Sequence, residues 1–127
     1  MMKNVFLAAA ALVFSATAAN AEVIAQFTSN IEERQPVDAL EVITFDKEGL
    51  ENIIFFTDIR NEEGKTIYHV WKNGENEIYK HKFNIGGARW RVWSSVAKLR
   101  FTPEDTISVE VVDDTGNILY SDSVEVK

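Results

Sequence analysis

Cysteine is absent from this 127-residue chain, which excludes disulfide staples, a thiolate nucleophile, Cys-ligated zinc and iron–sulfur clusters together. Basic residues are in deficit, 13 Lys+Arg against 20 Asp+Glu. The formal charge of −7 leaves no overall basic excess to release phosphate counterions, so general nucleic-acid binding is not expected. Proline occurs only at 36 and 103, and histidine only at 69 and 81. No apolar run approaches the roughly 20 residues that a membrane-spanning helix needs. Low-complexity segments and internal repeats are also missing after the first residues.

What is present begins with a leader. Lys3 supplies a positive start, Val5–Phe14 is apolar, and Ser15–Ala21 is small and ends in Ala19-Asn20-Ala21, an A-x-A cleavage pattern. Residues 1–21 are therefore expected to be a cleaved secretory signal, and 22–127 a single domain in the periplasm or outside the cell. Cleavage takes 21 residues from 127 and leaves 106, and the loss of Lys3 moves the charge to −8. A domain of this size can bury roughly 60–70% of its unfolded surface, so apolar packing can stand in for the missing disulfides.

Period-two alternation recurs along the domain. Strands are expected at Val23–Thr28, Ile53–Ile59, Thr66–Trp71, Ile78–Ile85, Arg89–Ser94, Ile107–Val111 and Ile118–Val126, with a short apolar piece at Val42–Phe45. Pro36 makes Ile31–Leu40 a connection or an edge, and Pro103 breaks Val96–Thr106. Seven or eight short strands without a helical period predict an all-β antiparallel sandwich of immunoglobulin-like type, with a small barrel as the alternative. Asn73-Gly74 is the strongest hairpin signal. A turn centred there sets Trp71 near Asn76 and His69 near Ile78, with His81 several residues further along the ladder.

The densest chemistry lies in Arg89-Trp90-Arg91-Val92-Trp93. Alternation assigns Trp90 and Val92 to the core and leaves Arg89, Arg91 and Trp93 as a basic, aromatic stripe on the opposite face. Arginine binds carboxylate or phosphate in bidentate fashion, and indole stacks on sugar rings or apolar groups. The competing reading is a cross-strand ladder in which these arginines pair with Asp58, Glu75 or Glu77. His69 and Trp71, on one face of Thr66–Trp71, are the other candidates, His69 as a base or ligand or simply as a satisfied sheet histidine. Two histidines held apart do not make a zinc site, which takes three or four protein ligands. A Ser94–His69–Asp58 triad can be drawn, but no nucleophile-elbow glycines surround Ser94. Gly86-Gly87 lacks the lysine and helix of a phosphate loop. No cofactor or metal is expected.

Several motifs occur in order: Ala25-Gln26-Phe27-Thr28, Arg34-x-Pro36, Phe55-Phe56-Thr57-Asp58, Gly64-Lys65-x-x-Tyr68-His69-x-Trp71, Gly87-x-Arg89-Trp90-Arg91-x-Trp93-Ser94-Ser95 and Val111-Val112-Asp113-x-x-Gly116-x-x-Leu119. In these the chain resembles a bacterial family classed as a domain of unknown function, found in envelope proteins. It departs from that family at Val70, where a basic residue is usual, and at Val96-Ala97-Lys98 and Asp105-Thr106-Ile107. The resemblance implies an envelope setting and a β-rich domain, without an activity. The expectation is a non-enzymatic binding or interaction module using His69, Trp71, Arg89, Arg91 and Trp93 on an envelope glycan, peptide or protein. The alternatives are a small hydrolase built on His69 and a nearby carboxylate, and a purely structural envelope domain.

Overall fold

Alternation of apolar and polar residues gives each strand one face to bury, and two sheets stack those faces together. The computed structural model describes residues 21–127; the expected signal falls outside them, apart from Ala21. In chain order the strands are β1 (Glu22–Thr28), β2 (Ile31–Glu32), β3 (Gln35–Pro36), β4 (Asn52–Arg60), β5 (Thr66–Asn73), β6 (Asn76–Asn84), β7 (Arg89–Ala97), β8 (Thr106–Asp113) and β9 (Ile118–Glu125). A 3-10 turn at Lys98–Arg100 follows β7.

One sheet has the order β1-β4-β7 and the other β9-β8-β5-β6, with every pairing antiparallel. Of the seven long strands, the first, second and fifth thus form one layer, and the third, fourth, sixth and seventh the other. This is the expected antiparallel sandwich, and neither sheet closes into a barrel. Strands β2 and β3 form a separate small hairpin.

The core lies between the layers. Phe27, Ile53, Phe55 and Ile59 from the three-stranded sheet meet Ile67, Trp71, Ile107, Val109 and Val111 from the four-stranded one. Phe27 and Phe55 pack edge to face at 4.9 Å, and Trp71 lies 6.4 Å from Phe55. Each such side chain contributes about 1.5–3 kcal/mol on burial, which is how a cysteine-free domain of this size holds together. Val42–Phe45 forms no strand; it contributes one parallel bridge, Ile43 with Val126. Gly86-Gly87 lies against the Trp90 indole, and a Cβ on Gly86 would stand 2.9 Å from that ring.

The β5–β6 register differs from the sequence expectation. His69 pairs directly with His81 and Trp71 with Tyr79, while Lys72 pairs with Glu77. Two features cause the difference. The turn is centred on Gly74-Glu75, with Gly74 at φ 62°, and a bulge follows Trp71. The bulge shifts everything beyond it by one residue, so the two histidines are immediate neighbours.

Candidate functional site

Strand β7 is an edge of the three-stranded sheet, and its side chains alternate between two environments. Trp90, Val92, Ser94 and Val96 turn inward, where Trp90 and Ser94 oppose Ile59 and Phe55 of β4. Arg89, Arg91 and Trp93 turn outward with their cross-strand partners Arg60, Asp58 and Phe56. On the far side of β4, Ile24 and Gln26 of β1 complete the Asp58 and Phe56 rows. The stripe read from the sequence is therefore part of the outer face of this sheet, where Phe56 and Asp58 are themselves buried.

Electrostatics on this face are uneven. The Asp58 side chain is only 8% exposed. Its carboxylate accepts from Arg89 Nε at 3.1 and 3.3 Å and from Arg89 Nη2 at 2.9 Å, and Arg60 Nη2 lies 3.6 Å away. Burial by itself would push this carboxyl up, but the hydrogen bonds and charges of Arg89 and Arg60 hold it below the usual range. Arg91 is the residue directly opposite Asp58, yet no carboxylate among the described residues lies within 4.0 Å of its guanidinium. Arg89 thus follows the ladder reading and Arg91 does not.

Trp93 is half-buried and stacks on Phe56 at 6.3 Å. Over it lies a residue distant in sequence: the Arg34 guanidinium, 5.8 Å from the indole, whose Nη2 donates to the Arg91 carbonyl at 3.3 Å. Arg34 comes from the tip of the β2–β3 hairpin. Glu33 and Arg34 both occupy the left-handed region, at φ 53° and 64°, in a two-residue turn that glycine and asparagine normally fill. Sequence reasoning met Arg34 only within a motif. Nothing in the sequence marks Glu33-Arg34 as a two-residue turn, since neither is glycine or asparagine.

His69 and Trp71 are elsewhere. Both are 0% exposed, on the inner face of β5, so the five expected site residues do not share one surface. The cause is the alternation itself: Ile67, His69 and Trp71 are the core face of β5. Around His69 a closed hydrogen-bond chain joins the two sheets. Trp71 Nε1 donates to Ser94 Oγ at 2.8 Å, His69 Nδ1 meets Ser94 Oγ at 2.7 Å, and His69 Nε2 meets Thr57 Oγ1 at 3.0 Å. Thr57 Oγ1 donates to the Val92 carbonyl at 3.1 Å. Counting donors fixes the tautomer. The indole can only donate and the Thr57 hydroxyl proton is used, so His69 Nε2–H donates to Thr57 and Ser94 O–H donates to Nδ1. Burial, then the neighbouring His81, drives the His69 pKa down to about 3, so the imidazole is neutral.

This chain contains the Ser94–His69 contact of the drawn triad, but not its chemistry. Serine bonds Nδ1 rather than Nε2, the third partner is a neutral threonine, and Asp58 lies on the opposite face of β4. An imidazole sealed between sheets has no route to a substrate, so His69 is a satisfied core histidine. His81, beside it, bonds the Tyr79 hydroxyl at 2.6 Å. Lys98 and Arg100, the other basic residues of the acid-free span 89–100, turn away. Lys98 donates to the Lys47 carbonyl at 3.0 Å and Arg100 to the Ile78 carbonyl at 3.5 Å.

Residues 64–126, which hold β5 to β9, match the family model described as Protein of unknown function (DUF2914). No curated protein matches the chain. Among solved structures, the chain is similar to an endonuclease/exonuclease/phosphatase from Beutenbergia cavernae DSM 12333. The likeness has 15% identity and a TM-score of 0.37, and spans 71% of this chain but 27% of that one. Nothing about activity follows from it.

Proposed function

Since the family model that residues 64–126 match is one of unknown function, we propose from the geometry that this domain is a non-enzymatic binding module. It recognises an anionic envelope ligand, a glycan or acidic peptide segment, on the outer face of β1-β4-β7. The setting, periplasmic or secreted, follows from the leader pattern. Arg91 is the main ligand residue, Trp93 and Arg34 its neighbours, and Arg89 with Asp58 and Arg60 the frame that holds them. His69 and Trp71 contribute stability rather than contact.

One observation carries this reading. Arg91 sits opposite a carboxylate, yet that carboxylate is taken up by Arg89 and Arg60, which leaves the Arg91 guanidinium without an acid among the described residues in a chain of net charge −7. A purely structural ladder would pair Arg91 as well. Trp and Arg are also the residues that dominate binding energies at interfaces.

The test is co-sedimentation of the purified chain with a bacterial cell-envelope fraction, at rising salt. Retention should fall with salt, because the contact is charge-assisted and exposed, and should be lost in Arg91→Ala. Retention that ignores both salt and the substitution would count against the outer face.

A further inference from the structure

Main-chain bonds flank the β4–β7 ladder at both ends. Asn61 N–H donates to the Ala88 carbonyl and Lys98 N–H to the Glu51 carbonyl, each at 2.9 Å, and the register between them is unbroken. Antiparallel strands alternate bonded with non-bonded pairs, so the bonded ones are Ile59–Trp90, Thr57–Val92, Phe55–Ser94 and Ile53–Val96. Arg89, Arg91, Trp93 and Ser95 therefore turn their N–H and C=O groups away from the sheet. Of those groups, only the Arg91 carbonyl has a partner among the described residues, Arg34 Nη2 at 3.3 Å.

The other edges are guarded. On β1 the Phe27 carbonyl accepts from Leu40 N–H at 2.8 Å, and on β9 the Glu125 carbonyl accepts from Ile43 N–H at 2.9 Å. Edge β6 carries Lys80 and Lys82, side chains that blunt strand pairing. The nine residues of β7 contain no lysine, proline or bulge. Resting on the reading of the outer face as an anion site, we propose that the ligand is an extended polypeptide segment, alternately acidic and apolar, that adds to the β7 edge as a further antiparallel strand. A row of donors and acceptors at strand spacing matches a peptide main chain, which sugar hydroxyls do not reproduce. The antiparallel sense is the more stable per residue. The acid follows from Arg91. A side chain set opposite it stands on the outer face, where Arg91 has no carboxylate within 4.0 Å and the span 89–100 contains no acid. Alternate side chains turn inward beside Trp90 and Val92, which are only half-buried, and apolar ones suit that place.

The experiment follows amide hydrogen exchange of the purified chain, residue by residue, by NMR. Its probes are a short blocked peptide of alternating valine and glutamate, the same peptide with lysine for glutamate, and oligogalacturonate as an anionic glycan. Two further copies of the first peptide are N-methylated, one at its glutamates and one at its valines. The glutamate peptide should slow exchange at Arg91, Trp93 and Ser95 at least about tenfold at saturation, whereas Val92, already bonded to β4, changes little. The glutamate opposite Arg91 also supplies the N–H that reaches the Arg91 carbonyl. Methylation at glutamate should therefore weaken binding about tenfold or more, and methylation at valine much less. Arg91→Glu should reverse the preference to the lysine peptide while near-UV circular dichroism stays unchanged; should that variant unfold, the methylated peptides still decide. Equal loss from both methylations, or protection at Lys80 and Lys82 instead, would overturn strand addition at β7. Oligogalacturonate shifting the Arg91 resonances while the peptide protects nothing would also overturn it, and leave the anion face standing. If neither probe moves Arg91, strand addition and the proposed function both fall.

Discussion

The two faces of β7 solve the same problem in opposite ways. Inward, Ser94 joins a hydrogen-bond chain from Trp71 through His69 and Thr57 to the Val92 carbonyl, and every polar hydrogen in it has an acceptor. Outward, Arg91 and Arg34 carry donors with no acid to receive them, and among the described residues Arg60 Nε is buried without a partner. A buried polar group must be paired or it costs stability, whereas a group near solvent can wait for a ligand. The difference separates residues kept for the fold from residues available for recognition.

The comparison breaks most severely at Ser94. Ser94→Ala removes one oxygen that serves two buried groups, so it should destabilise the domain by about 2–4 kcal/mol. Thr57→Val leaves the buried His69 Nε2–H without its acceptor and takes one donor from the Val92 carbonyl, and should cost about 1–3 kcal/mol. Urea unfolding midpoints measure both. A loss below half a kilocalorie for Ser94→Ala would mean that the chain does not hold the sheets together.

Acid acts on the inner face next. His69 titrates near 3 in the folded domain against an ordinary 6.5. Between those values the unfolded chain binds a proton that the folded one refuses, so stability is full above about pH 6.5 and falls as pH drops towards 3. The slope contributed by this one group is at most about 1.4 kcal/mol per pH unit. Asp58, whose folded carboxyl lies below its ordinary 3.8, adds loss only under that pH. Unfolding midpoints at about pH 7, 5.5 and 4.5 isolate the histidine, and His69→Gln should flatten the series. A wild-type midpoint unchanged across that range would contradict the sealed, neutral imidazole.

Asp58 stands between the two faces in effect. Asp58→Asn removes the charge that Arg89 and Arg60 share, but those side chains are 55% and 40% exposed and screened by water. The expected cost is about 1 kcal/mol, shrinking in high salt, and thermal unfolding at two salt concentrations checks it. A salt-independent loss would place the stabilisation in packing instead.

Much of this was legible in the sequence. Period-two alternation located all seven long strands, and it divided Arg89, Arg91 and Trp93 from Trp90 and Val92 because strand geometry leaves no third choice. The same alternation placed His69 and Trp71 on one face. It could not say that this face was the core, since a histidine fits either side and only the packing of Phe55 and Phe83 around it decides. The pairing of His69 with His81 was hidden by a turn centred on Gly74-Glu75 rather than Asn73-Gly74 and by a bulge, which leaves no mark in periodicity. Arg34 was out of reach for another reason. It joins the site across 57 residues of chain, through a hairpin whose strands are two residues long.

The smallest expected effect is the most informative. The unfolding free energy of Arg91→Ala compared with the unchanged chain tests whether the outer face is free for a ligand. A difference within about 0.5 kcal/mol is predicted, as for a surface residue without partners. A loss of about 2 kcal/mol or more, the range of a buried network, would show that Arg91 belongs to the structural ladder and that the outer face is not the site.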